Sequence, residues 1–152
     1  MKTLASAQVK QEVLERLRTL HSESPRAWGK MTAPQMICHL SDAFRMIIAG
    51  KPVQMRDNPF TRTVVKWVAL QAPLRWPHGI QGPPEVDQQI GGTPPRAFAS
   101  DQIELVSLTE QFSVQTEHLA SIKHPIFGKL TVEEWMRWGY LHMDHHLRQF
   151  GC

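Results

Sequence analysis

Eight histidines occur in this chain of 152 residues, and histidine is the side chain that proteins use most often for metal binding and proton transfer at neutral pH. Two of them, His142 and His146, are four residues apart in a segment with helical spacing of its apolar residues. At about 3.6 residues per turn such a pair lies on one helix face, one turn apart, and both imidazoles can reach one cation. The spacing therefore predicts part of a metal site, which needs a further ligand from a facing element.

His39 is the candidate for that further ligand. The same helical arithmetic places it on the apolar side of another segment, beside Met36, Ala43 and Met46. Buried imidazoles without partners would leave polar atoms unsatisfied at about 1–3 kcal/mol each, and a shared divalent cation would satisfy them. The alternative is a set of separate core histidines, each bonded to a carbonyl or to a neighbouring side chain.

Two polar residues are placed to support these imidazoles. Asp42, three residues after His39, is a candidate to hold the second ring nitrogen of that histidine. An exposed position on the polar helix face is the alternative for Asp42. Gln149, three residues after His146, is a candidate for the same supporting role.

The other aromatic and imidazole side chains receive structural interpretations. Trp135 and Trp138 share the inward face with His142 and are expected in the core, with a pocket wall for a substrate as the alternative. His145 falls at the edge of the polar face and is expected to take no part in the site. The remaining histidines are expected at the surface or its boundary: His21, His78, His118 and His124. A minor alternative for His78 is acid–base chemistry at the substrate side of the site.

Four helices are expected to position these side chains, at residues 6–22, 32–50, 101–122 and 131–150. Capping-box sequences open the second and fourth, TAPQ at 32–35 and TVEE at 131–134. A strand at 103–108 is a minor alternative. The pattern predicts an all-α four-helix bundle that forms one domain over residues 1–152.

A proline-rich crossover, residues 51–98, separates the second and third predicted helices and holds eight of the eleven prolines. Asn58 and Pro59 predict the start of a short packed helix that ends before Pro73. The residues after it, 77–95, are expected to form an ordered loop or lid, because long loops in compact domains are usually functional or disordered.

The composition of the chain argues against nucleic-acid and membrane partners. The net charge of +3 is spread along the sequence, which does not favour a nucleic-acid partner. The two cysteines are far apart and cannot form a disulfide framework, and no apolar run approaches a membrane span of about 18 residues. We therefore expect a cytoplasmic protein with no membrane partner.

Four motifs together resemble the DinB/YfiT-like superfamily of metalloenzymes, in particular a small branch with a His-Pro-x-Phe-Gly turn. They are WGKMT at 28–32, QMICHL at 35–40, HPIFGKLT at 124–131 and HxxxHxxQ at 142–149. The similarity covers the second and fourth predicted helices well, the first and third by pattern only, and the crossover poorly.

The resemblance implies a bundle with up-down-down-up connectivity, often a homodimer. It also implies a divalent metal, zinc or nickel, held by His39, His142 and His146. Activities in the superfamily include low-molecular-weight thiol-dependent transferases and isomerases, so the expected partners are a small-molecule substrate and a thiol cosubstrate. Metal-dependent hydrolysis and a non-catalytic bundle that binds a small ligand around a structural metal stay as alternatives.

Overall fold

The computed structural model describes residues 1–152, which are mostly helical. In chain order the elements are α1 (Ala7–Arg18), α2 (Ala33–Ile48), α3 (Lys66–Leu70), α4 (Phe98–Val114), α5 (Thr116–Ser121), β1 (Lys123–His124), β2 (Gly128–Lys129) and α6 (Val132–Gln149). The strands β1 and β2 form one antiparallel pair with His124 opposite Gly128. The all-α prediction misses this pair, because a two-residue ladder is too short to leave a periodic pattern. None of the helices combines the length and the apolar character needed to cross a membrane.

The two helices that carry the predicted metal ligands begin where their capping sequences place them. Thr32 caps α2 and Thr131 caps α6, and in each case the residue three positions on, Gln35 or Glu134, bonds back to the cap. These reciprocal bonds satisfy amide groups that have no partner inside the helix. Each helix ends two residues before a glycine with positive φ, so both predicted segments are confirmed.

The other two predicted helices differ from expectation. The helix α1 ends at Arg18 rather than near residue 22. The single helix predicted over 101–122 is two helices, since Gln115 between α4 and α5 has φ −85° and ψ 49°. The residues around Gln115 include three weaker helix formers, Ser113, Val114 and Thr116. The Ser113 hydroxyl also bonds back to the Glu110 carbonyl at 2.8 Å. The alternative of a strand at 103–108 is wrong, because these residues lie within α4.

One apolar core joins the long helices. Contacts run between α2 and α4, between α1 and α6, and between α2 and α6. Phe44 of α2 packs against Phe112 of α4 with ring centroids 5.0 Å apart, and Trp135 of α6 is fully buried. This packing fixes the faces that α2 and α6 present to each other.

The crossover is ordered around two short helical turns, a π-helical turn at Thr61–Val65 that continues into α3 and a 3₁₀ turn at Pro84–Val86. The predicted helix start is confirmed, with the Asn58 side chain accepting from the amides of Phe60 and Thr61. The expected packing of this helix is present only in part: Leu70 is buried and Val65 and Ala69 pack against the core, but Trp67 is 62% exposed. The helix rests on α6 at this end, where Arg137 donates to the Leu70 carbonyl. Val64, Trp67 and Val68 face outward.

Candidate metal centre

Three imidazoles from two helices converge between α2 and α6. His39 of α2 and His142 and His146 of α6 each offer one ring nitrogen, and these nitrogens all lie within 4.8 Å of one another. The Nε2 atoms of His39 and His142 lie 3.1 Å apart. We call these three residues the histidine cluster. The structure therefore brings together the three residues that the sequence singled out.

The second ring nitrogen is fixed in two members of the cluster. Nδ1 of His39 lies 2.6 Å from the Val86 carbonyl oxygen, and Nδ1 of His146 lies 2.9 Å from Oε1 of Gln149. Because both oxygens can only accept, each Nδ1 carries the proton and Nε2 keeps its lone pair. The Gln149 amide is oriented in turn by donating to the Trp28 carbonyl at 2.8 Å. The predicted contact of Gln149 with His146 is present.

Burial keeps the cluster neutral. It lowers the pKa of His39, although the bond to Val86 opposes the shift. Burial, followed by the neighbouring imidazoles, lowers the pKa of His142 and His146 well below 6.5. The neutral imidazole is the form that binds a cation, so the cluster is in that form at neutral pH.

The geometry fits a divalent cation. Zinc–nitrogen bonds of about 2.0–2.1 Å in a tetrahedron separate two ligand nitrogens by about 3.3–3.4 Å. The 3.1 Å between His39 and His142 is close to this value, and the third nitrogen, within 4.8 Å, needs a small side-chain shift. No carboxylate or thiol joins the cluster. A set of three imidazoles suits zinc or nickel and leaves coordination positions open.

Aromatic rings form the walls around His142. Trp138 lies 5.1 Å from it between ring centroids, and Trp76 of the crossover lies 5.9 Å away on a tilted ring. Trp135 packs on Trp138 and on His124 instead and has no ring contact with the cluster. Of the two tryptophans predicted as core or pocket wall, Trp138 therefore borders the site and Trp135 is core.

Asp42 has a different role from either of its predictions. It is fully buried and does not bond to His39, whose Nδ1 is taken by the Val86 carbonyl. Its carboxylate accepts from the amide and the hydroxyl of Thr93 at 2.7 and 2.8 Å and pairs with Arg45 and Lys51. Burial opposes ionisation, but these bonds hold the pKa of Asp42 below its ordinary value. The carboxylate thus fastens the end of the crossover to α2.

His145 is part of the surroundings of the cluster, which corrects its prediction as a residue outside the site. It is only 9% exposed and packs edge-on against His146 with ring centroids 5.0 Å apart. Trp28 and Trp76 each lie 6.0 Å from it. Burial and then Arg148 lower its pKa to about 4. Helical arithmetic on α6 alone cannot show that these two tryptophans cover the edge of its polar face.

His124, predicted near the surface, is also buried. Its Nδ1 accepts from the amides of Ile126 and Phe127 at 3.1 and 3.2 Å, within the turn between β1 and β2. Burial lowers its pKa to about 3. His78 is exposed and stacks on Trp28, with ring centroids 4.0 Å apart. The other two histidines are exposed as predicted: His21 and His118.

Sequence reasoning did not find the contribution of the crossover to this site. Trp76 and the carbonyl of Val86 both come from this segment, which has no periodic pattern to place them. The sequence places Trp28 in a motif but predicts no role for it. The signal that was available is the concentration of prolines, which predicted an ordered loop.

Comparison with protein families gives a match over residues 4–151 to the family described as Protein of unknown function (DUF1569). Comparisons with curated proteins and with solved structures gave no match. The matched range spans nearly the whole chain and includes every residue of the histidine cluster and its supporting contacts. The chain therefore belongs to the DUF1569 family.

Proposed function

We propose that the histidine cluster binds one divalent cation, zinc or nickel, and that the chain is a metal-dependent enzyme for thiol-dependent transfer or isomerisation of a small molecule. The observation that carries the first part is the convergence of three ring nitrogens, two of them with their protons fixed on the opposite side by Val86 and Gln149. Supporting contacts of this kind orient metal-binding histidines in proteins.

Separate core histidines account less well for this arrangement. In that interpretation the bonds of His39 to Val86 and of His146 to Gln149 would be enough. They do not explain why one ring nitrogen of each of the three histidines converges on the same point, with the Nε2 atoms of His39 and His142 3.1 Å apart. With Nδ1 of His39 donating to Val86, its Nε2 can only accept, so His142 must donate to it when no cation is bound. A cation between the two rings would replace this hydrogen bond with one coordination bond to each of them.

The chemistry follows from the donor set. A divalent cation held by three neutral imidazoles lowers the pKa of a thiol that it binds and so supplies a nucleophile at neutral pH. The chain's own part is to hold the rings through Val86 and Gln149, and to exclude water with Trp76 and Trp138. Because no carboxylate base stands in the cluster, transfer or isomerisation is favoured over hydrolysis.

The proposal also includes a four-helix-bundle fold related to the DinB/YfiT-like superfamily. The four long helices, with the crossover between α2 and α4, support a four-helix bundle of up-down-down-up connectivity. The motifs around His39 and His142 support the DinB/YfiT-like assignment. The thiol dependence rests on this resemblance together with the open coordination positions of a three-imidazole site.

Elemental analysis tests the cation. Protein purified without chelators or metal-affinity resin should hold about one zinc or nickel per chain. The variants His39→Ala, His142→Ala and His146→Ala should each lose it, and His21→Ala, an exposed histidine, should keep it. A metal-free wild type that also fails to bind added divalent cations would overturn the proposal.

Thiol-dependent turnover is tested separately, with protein that holds the cation. Consumption of low-molecular-weight thiols should be measured against panels of electrophilic and isomerisable small molecules, with His142→Ala as the inactive comparison. A cation held at full occupancy without thiol-dependent turnover in any panel would contradict the enzymatic part and favour a structural metal.

A further inference from the structure

An open cleft of about 300 Å³ lies beside the histidine cluster, with Trp76 between them. One side of the cleft is formed by α6 and the other by residues 72–76 of the crossover. Trp76 lines the cleft and also contacts the rings of His142 and His145. None of the three cluster histidines lines it, so the cleft is a separate space.

Cations dominate the charged lining of this cleft. Four cationic side chains line it together with one carboxylate: Lys2, Arg75, Arg137, Arg148 and Asp144. Asp144 already accepts from Arg148 at 2.9 Å and from Arg16 at 2.8 Å. These two bonds hold the pKa of Asp144 below its ordinary value although burial opposes the shift. Lys2 pairs with Glu12. The two remaining cations therefore have no carboxylate partner.

Of these two arginines, Arg137 is the one whose position is fixed by other contacts. Its side chain is partly buried and held by donation to the carbonyls of Leu70 at 3.2 Å and Lys2 at 2.8 Å. Its guanidinium carbon lies 5.6 Å from the ring centroid of Tyr140. These contacts fix the position of the guanidinium without neutralising it. A partly buried charge without a counter-ion is unfavourable, and a planar guanidinium is suited to bidentate contact with an oxyanion.

The neighbouring groups suit the same ligand. Arg75 is exposed, has no ion-pair partner and lines the cleft opposite α6. Tyr140 lines it as well, and burial followed by Asp144 raises the pKa of the phenol, which keeps the hydroxyl as a hydrogen-bond donor at neutral pH. Two unneutralised cations and one neutral donor thus surround one open space.

We propose that this cleft is a binding site for an oxyanion, the carboxylate or phosphate group of a small molecule, with Arg137 as the principal contact and Arg75 and Tyr140 as supporting donors. The site does not require the cation of the histidine cluster.

The proposal is tested by titrating metal-free protein with inorganic phosphate and, in a second arm, with succinate, at constant ionic strength set by sodium chloride. Backbone amide chemical shifts should move in a saturable way at residues 74–76 and along α6 near Arg137. Saturation by only one probe would support the site and identify the group that it prefers. The variant His39→Ala, whose ring has no contact with Trp76, should bind either probe as wild type does, which separates this test from that of the metal centre.

Substitutions then identify the contacts. Arg137→Gln should weaken binding at least tenfold, and Arg75→Gln about threefold. Arg75 is exposed and its replacement leaves the bonds of Arg137 in place, so this variant is informative even if Arg137→Gln does not fold. Arg18→Gln, an exposed cation outside the cleft, is the control and should bind as wild type does. Shifts that grow linearly without saturation, or an equal loss in all three variants, would overturn the proposal.

Discussion

The Gln149 amide joins an imidazole of the histidine cluster to the segment before α2, and its replacement by leucine is the sharpest test of how the cluster is held. The side chain is 3% exposed. Its oxygen accepts from Nδ1 of His146 at 2.9 Å, and its nitrogen donates to the Trp28 carbonyl at 2.8 Å. Leucine has nearly the same volume and can make neither bond.

The expected magnitude follows from the two groups that lose their partner. A buried polar group left unsatisfied costs about 1–3 kcal/mol, and Nδ1 of His146 and the Trp28 carbonyl are both affected. We expect Gln149→Leu to lower the free energy of unfolding of metal-free protein by about 2–6 kcal/mol. Loss of a supporting contact to a metal-binding histidine should in addition weaken cation binding by about 10–100-fold.

Two measurements separate these effects. Urea unfolding in the presence of a chelator gives the stability of the metal-free chain. Competition with a chromophoric chelator gives the zinc affinity of the folded variant. Gln111→Leu is the matched control, because Gln111 is exposed and its side chain bonds only to Ser107. That control should change stability by no more than about 0.5 kcal/mol.

The result that would refute the reasoning is specific. If Gln149→Leu keeps the zinc affinity within about twofold of wild type, then His146 is oriented by packing alone and the amide has no supporting role. If affinity falls but stability does not, Nδ1 of His146 must have found another acceptor.

Three further outcomes are expected. Gly29→Ala should lower the free energy of unfolding in urea more than Gly50→Ala does. Both glycines have positive φ, where a side chain costs about 1–2 kcal/mol, but only at Gly29 would the added Cβ lie 2.4 Å from Nε2 of Gln149. The pKa of His124 falls from 6.5 to about 3 on folding, so the unfolded chain binds a proton first as the pH falls. Metal-free wild type should therefore lose about 2–3 kcal/mol more stability between about pH 6.5 and 4.5 than His124→Asn, which keeps the acceptor without the titration; parallel pH profiles would contradict this. Asp42→Asn should cost about 3 kcal/mol, because partly buried Lys51 loses its carboxylate partner and Thr93 loses a charged acceptor, whereas Arg45 keeps Glu104. Proteolysis within the crossover should become faster in this variant, and an unchanged cleavage rate would show that Asp42 does not fasten the segment.

The ligand-bearing faces of α2 and α6 could be predicted because helix geometry is local. Capping residues fix where each helix begins, and a period of 3.6 residues then fixes which side chains share a face. Helix geometry alone therefore predicts inward positions for His39, His142 and His146. Their convergence depends only on two such faces packing together.

The surroundings of the cluster could not be predicted in this way, because they depend on contacts between residues distant in sequence. His145 is covered by Trp28 and Trp76, which follow from no property of α6. Both interpretations of Asp42, as a support for His39 or as an exposed polar residue, rest on its position in α2, which does not show that Thr93 returns to cover it. The break at Gln115 is not visible in the apolar spacing, which continues through it.

The bond between Nδ1 of His39 and the Val86 carbonyl has a consequence for mutational studies. The acceptor is a peptide oxygen, which every amino acid at position 86 supplies. Alanine scanning of this position would register only the lost packing of a buried valine and would overlook the contact entirely. Changes in the length or proline content of the 3₁₀ turn at Pro84–Val86 would move the oxygen itself. Insertions and deletions in this turn, rather than side-chain replacements, are therefore the changes that would reveal how much the site depends on it.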